Sequence, residues 1–134
     1  MLQIELDRNN QSAFVIFSGQ KNHEDAAIKK AQVFIENNLG SKITVDELSS
    51  KFSIDRRNFD RRFKKATGNS PLEYMQRVKI EAAKKQLEIN RKSINEVMYD
   101  VGYNDVKAFR EVFRKVSGMS PLEYRTRYNK QVMS

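Results

Sequence analysis

The 134-residue chain has no cysteine and no tryptophan, and its one histidine is His23. Without thiols there is no disulfide scaffold, no thiol catalysis and no zinc finger, and a lone histidine disfavours a His-centred triad. No grouping of nucleophile, base or metal-ligating residues stands out, so neither enzymatic activity nor a cofactor or metal is expected. Long hydrophobic runs are also missing. The longest uninterrupted one in the N-terminal stretch is Ala13 to Phe17, too short for a signal peptide or a membrane span. The expected location is the cytoplasm, and no membrane contact is expected, because the basic segments carry the phenylalanines that a folded core would take. Negative charge is in short supply too. Lys and Arg outnumber Asp and Glu by 25 to 17, a net charge of +8 and a pI near 9.8. That balance favours a polyanionic partner, although a soluble protein with a charged surface has the same composition.

What is present is a repeat. Phe63 to Tyr74 reads FKKATGNSPLEY and Phe113 to Tyr124 reads FRKVSGMSPLEY, identical at eight of twelve positions at a constant offset of fifty. A repeat of that length is a structural unit used twice. Both prolines, Pro71 and Pro121, lie in it, each behind a serine that can cap a helix and two residues before a glutamate that completes a capping box. The pattern Ser/Thr-x-x-Glu occurs four times, at Thr44, Ser70, Ser93 and Ser120, always in register with the repeat.

These signals predict an all-α chain of about seven helices, two helix-turn-helix subdomains joined by a long connecting helix. Residues 1–24 read as a leader or linker remnant, with a turn-like Arg8-Asn9-Asn10-Gln11 and the apolar Ala13 to Phe17 but no capping signal. Residues 25–69 form the first subdomain. Ile28, Ala31, Phe34 or Ile35, and Leu39 mark a helix that starts at Asp25 and that Gly40 should stop. A short helix follows from Thr44, and after a turn at Ser53-Ile54 a third is capped by Asp55 and ends at Gly68. Residues 70–90 make the connector, with Tyr74, Val78, Ala82, Ala83 and Leu87 as one apolar stripe; roughly eighteen residues would span about 27 Å. Residues 91–134 repeat the grammar, with a turn at Gly102, a helix from Asn104 or Asp105 to Gly118, and a last helix from Ser120. The two subdomains align at an offset of 49 before the turn and 50 after it, so one residue is inserted in or beside the turn.

In a helix-turn-helix the second helix enters the major groove. In unit one, Asp55 to Lys65 holds six positive and two negative charges in eleven residues. With Phe59 and Phe63 turned inward, Arg57, Asp60 and Arg61 occupy another face, with Arg56 near the start. Arginine can contact guanine O6 and N7 in bidentate fashion, whereas Asp60 would repel phosphate and could accept only from a base amino group. Arg62, Lys64 and Lys65 suit phosphate. In unit two, Val106, Lys107 and Arg110 face the groove and Arg114 and Lys115 lie farther along, a less basic surface from which weaker or more sequence-restricted binding is expected. Phe52, Phe59, Phe63, Phe109, Phe113, Tyr74 and Tyr124 fall on apolar faces and are assigned to cores. His23 is given no role.

At these residues the chain resembles the DNA-binding domain of the AraC/XylS family of bacterial transcription regulators. The matching features are Phe59-x-Arg61-x-Phe63, Gly68-x-Ser70-Pro71-x-x-Tyr74 and Lys79-x-x-x-Ala83-x-x-x-Leu87. In unit two they are Val101-Gly102-Tyr103, Phe109, Phe113 and Gly118-x-Ser120-Pro121-x-x-Tyr124-Arg125. The resemblance covers roughly residues 26–128. It implies a monomeric domain that lays two recognition helices into successive major grooves of double-stranded DNA. Carried over by position, the base-reading candidates are Arg56, Arg57, Asp60 and Arg61, then Val106, Lys107 and Arg110. Glu111 stands where the family often has Arg, and Lys79 replaces a common Arg in the connector. The resemblance further implies an activator or repressor acting on RNA polymerase, with an effector-sensing or dimerisation domain outside this chain. The leader is similar to the linker of members whose partner domain resembles a class I amidotransferase. A naturally free-standing two-unit regulator is the competing expectation. Two other functions fit the charge or the helices: a non-specific DNA-coating protein, and a helical protein-interaction adaptor whose binding would survive high salt.

Overall fold

The computed structural model describes residues 22–129; the turn-like Arg8 to Gln11 and the apolar Ala13 to Phe17 lie outside them. Seven helices follow one another within these residues: α1 (Ala26–Asn37), α2 (Val45–Lys51), α3 (Arg56–Thr67), α4 (Pro71–Ile89), α5 (Ile94–Asp100), α6 (Val106–Ser117) and α7 (Pro121–Tyr128). Capping chemistry sets where they begin. In all four Ser/Thr-x-x-Glu sequences the hydroxyl accepts from the glutamate's backbone N–H at 3.0–3.1 Å. The glutamate side chain in turn accepts from the N-cap N–H at 2.7–2.9 Å. Two of the donors that every helix start leaves orphaned are thus satisfied each time. Asp25, Asp55 and Asp105 cap α1, α3 and α6 with their carboxylates.

The ends also repeat. Gly68 and Gly118 adopt left-handed backbone at φ 84° and 81°, and their N–H groups close the last turns of α3 and α6. At these ends the Thr67 and Ser117 hydroxyls donate back to the Phe63 and Phe113 carbonyls at 2.9 and 2.7 Å and accept the N–H groups of Asn69 and Met119. α1 departs from expectation. It stops at Asn37, before Gly40, because the Asn38 side chain donates to the Phe34 carbonyl at 2.8 Å and its backbone N–H goes to Ile35.

The chain forms two compact units. The first runs to Asn38 and resumes over Lys42–Val78; the second takes Leu39–Ser41 and the chain from Lys79 onward. The boundary falls inside α4, so one helix supplies both cores. This is why Met75 and Ile80 are buried in addition to the stripe read from sequence.

In unit one, Ile28, Ala31 and Ile35 of α1 are buried, as are Val45, Leu48, Phe59, Phe63 and Tyr74. Phe52 meets Phe34 edge to face at the half-buried margin. In unit two the core is Ile80, Ala83 and Leu87 with Val97, Met98, Val101, Phe109, Phe113 and Tyr124. The two cores share an aromatic ladder: Phe63 stacks against Phe59 and Tyr74 at 5.6 and 5.3 Å, and Phe113 against Phe109 and Tyr124 at 5.8 Å each. Each ladder includes a buried phenol that donates to a glutamate, Tyr74 to Glu36 and Tyr124 to Glu88, and in unit two the Tyr124 ring goes on to meet Tyr128 at 4.6 Å. Ile28, Ala31, Ile35 and Glu36 correspond to Ile80, Ala83, Leu87 and Glu88 at an offset of 52. The duplication therefore includes α1 and the second half of α4, a correspondence that packing reveals and spacing hid.

Candidate nucleic-acid interface

The turn between α2 and α3 places the second helix of unit one. Ser53 sits at φ 57°, and the N–H of Ile54 reaches back to the Ser49 carbonyl at 3.0 Å. Unit two builds the same turn with Gly102 at φ 92° and Tyr103 bonding Met98, also at 3.0 Å. The inserted residue of unit two follows that bond, since Asp55 caps α3 directly after Ile54 whereas Asn104 precedes the cap Asp105. Glycine meets a steric demand at residue 102. A Cβ there would stand 2.6 Å from Lys79 Nζ and 2.7 Å from the Leu39 carbonyl oxygen. Lys79 itself is driven into this corner, where its ammonium donates to the carbonyls of Leu39, Ser41 and Val101. Burial pushes its pKa down.

Phe59 and Phe63 anchor α3 by one face, which leaves its polar residues outward, in four distinct settings. Arg57 and Lys65 are exposed and have no polar partner among the described residues. Lys64 is loosely paired, 4.0 Å from Glu73. Arg61 is exposed, and its guanidinium is steadied by a bond from Nη2 to Asn58 Oδ1 at 2.9 Å, Asn58 in turn being bonded to the cap Asp55. Arg56 and Arg62 are held by carboxylates. Arg56 Nε donates to both oxygens of Asp60 at 3.1 Å, and its Nη1 to Asp46 of α2 at 2.8 Å. Hydrogen bonding to Asp46 and then to Asp60 pushes its pKa up. Arg62 forks onto Asp25, the cap of α1, at 3.0 and 2.8 Å.

On α6, Phe109 and Phe113 are the buried pair. Val106, Lys107, Arg110, Glu111 and Lys115 are exposed, and none makes a side-chain hydrogen bond or ion pair with another described residue. Arg114 lies 3.9 Å from Glu123. Every cation of α3 and α6, with Asp60 and Val106, is thus at least partly open to solvent, while Phe59, Phe63, Phe109 and Phe113 are not.

Sequence reading missed the partners Asp25 and Asp46. They stand 37 and 10 residues from the arginines they hold, beyond any local spacing rule. His23 also has a place. Its Nδ1 accepts from the Asp25 N–H, so Nε2 donates to the buried Gln32 at 2.8 Å. Among the described residues no group of three or more His, Asp or Glu is arranged to hold a metal ion, and no helix is long and apolar enough to cross a membrane.

The chain matches the family model described as a helix-turn-helix domain over residues 48–127. Over 92 residues it is 33% identical to the HTH-type transcriptional activator RhaS of Mannheimia succiniciproducens, a match covering 69% of this chain and 34% of that protein. It is 33% identical over 84 residues to a putative AraC-like transcription regulator of Streptomyces antibioticus, covering 63% of this chain and 28% of the relative. The chain belongs to the AraC/XylS family of helix-turn-helix proteins. This AraC/XylS chain also superposes on the crystallised DNA-binding domain of AdpA, solved in complex with a target DNA, with a TM-score of 0.73 and 30% identity. That likeness covers 78% of this chain and 94% of the AdpA domain. The chain spans about a third of the length of the RhaS relative.

Proposed function

We propose that this AraC/XylS chain is the DNA-binding part of a bacterial transcription regulator, which reads two unlike half-sites through α3 and α6. The observation that carries the reading is the division of each second helix into two faces. One buries a phenylalanine pair; the other presents cations, of which Arg57, Lys65, Lys107, Arg110 and Lys115 have no polar side-chain partner among the described residues, in a fold shared with a domain crystallised on its target DNA. Arg57 and Arg61, with Asp60, are the base readers of unit one; Val106, Lys107 and Arg110 are those of unit two. Lys64, Lys65, Arg114 and Lys115, toward the C-terminal ends, fit phosphate oxygens. Arg62 serves instead as the tie between α3 and α1. The relatives' names as activators favour activation, with RNA polymerase as the partner, in the bacterial cytoplasm. An effector-sensing or dimerisation domain would belong to the remainder of a longer regulator.

The test is selection of bound sites from random duplexes, followed by fluorescence anisotropy. Arg57→Ala and Arg61→Ala should each cost about 1–3 kcal/mol on the selected site and much less on random DNA. Equal weakening on both would reassign these residues to phosphate. Failure of the wild type to select any motif would favour a non-specific DNA coat.

A further inference from the structure

The charged cluster at the start of α3 has the wrong sign for a DNA-facing surface. One guanidinium, Arg56, is shared between two carboxylates, Asp46 on α2 and Asp60 one turn along α3. Were Arg56 to swing away to a base or a phosphate, both carboxylates would be left unpaired beside a polyanion. Its Nε donates evenly to the two Asp60 oxygens, which occupies one acceptor site on each and leaves the others open. A carboxylate so held is an acceptor only. It can take a hydrogen bond from an exocyclic amino group and repels the carbonyl oxygens of guanine and thymine; cytosine N4 is the donor that suits it.

Building on the DNA-reading role proposed above, we propose that Arg56 is a positioning residue, braced by Asp46, that holds Asp60 to read a cytosine amino group in the unit-one half-site. Unit two carries none of the three groups: Asn95, Val106 and Arg110 stand at the equivalent places. At the position of the acceptor Asp60 it has the donor Arg110, which suits guanine O6 and N7. The two half-sites therefore differ in hydrogen-bonding polarity at equivalent bases, cytosine in one and guanine in the other. Two nearly identical scaffolds thereby gain a direction along the duplex.

Sites selected by the wild type, Arg56→Ala, Asp60→Ala and the double variant, each checked for unchanged helical circular dichroism, test this. The wild-type motif should contain a cytosine whose replacement by thymine weakens binding roughly 5- to 150-fold. Asp60→Ala should lose that preference entirely and Arg56→Ala should weaken it at the same base. The double variant should behave as Asp60→Ala alone, and Arg56→Ala should leave the slope of affinity against salt unchanged. A loss of preference at a different base on Arg56→Ala would show that Arg56 reads that base itself. A salt slope flattened by about one with the motif intact would make it a phosphate contact. Cytosine preference that survives in Asp60→Ala would overturn the role of Asp60. A motif that persists without this cytosine sinks the inference and leaves the regulator reading intact, whereas the absence of any motif sinks both.

Discussion

Asp25 is asked to do two things with one carboxylate, and its replacements separate them. Oδ1 accepts from the Ile28 N–H at 3.2 Å, capping α1, and the two oxygens together receive the Arg62 fork. Loss of an N-cap costs about 1 kcal/mol. The ion pair is discounted for solvent, since the Arg62 side chain is 36% and that of Asp25 23% exposed, and is worth about 0.5–1 kcal/mol. Asp25→Ala should therefore destabilise unit one by about 1.5–2 kcal/mol, and Asp25→Asn, which can still cap, by only about 0.5–1 kcal/mol. The Arg62 hydrogen bond holds the Asp25 carboxyl below its ordinary 3.8. With the folded pKa depressed, the stabilisation is complete above the unfolded pKa and is lost as pH falls through the folded one. The gap between wild type and Asp25→Asn should accordingly be present at pH 7 and close in acid. Urea denaturation followed by far-ultraviolet circular dichroism at several pH values measures all three proteins. An Asp25→Ala cost under about 0.5 kcal/mol would refute both roles, and a gap that stays constant into acid would refute the ion pair.

Gly102→Ala should cost more than about 2 kcal/mol, because left-handed backbone is combined with a clash against Lys79 and the Leu39 carbonyl. Gly118→Ala, with the same backbone but open space around the new methyl, should cost about 1 kcal/mol in thermal melts. Burial and then the neighbouring glutamates push the Tyr74 and Tyr124 phenols up, and burial pushes Tyr103 up to about 12. The stability these protonated phenols contribute is fully present below pH 10, where an unfolded tyrosine titrates, and is lost as pH rises beyond it. Tyr124→Phe should make the alkaline limb of the pH–stability curve shallower; an unchanged limb would refute the linkage.

Much of the fold could be read directly from residues because it rests on local chemistry. A capping box spans four residues and a helix face repeats every three or four, so Ser70, Glu73, Phe59 and Phe63 announce their roles within a single window. Gly40 misled because a side chain, that of Asn38, ended α1 before the glycine was reached. The candidate DNA-contacting residues were legible as residue types on an outward face, but their availability was not. Within DRRNFDRRFKK only the Arg56–Asp60 pair, four residues apart, lies within local reach; nothing there shows that Asp46 also holds Arg56, that Asp25 holds Arg62, or that Arg57 is left without a polar partner among the described residues.

The sequence alone determined the repeated helix-turn-helix, most of the helix limits and the buried phenylalanine pairs, since each follows from interactions between residues a turn or two apart. Only the tertiary structure decided which charges meet, because Asp25, Asp46 and Lys79 find their partners through packing that brings distant segments together. Electrostatic roles depend on distances across space, and those distances are fixed only when the cores close.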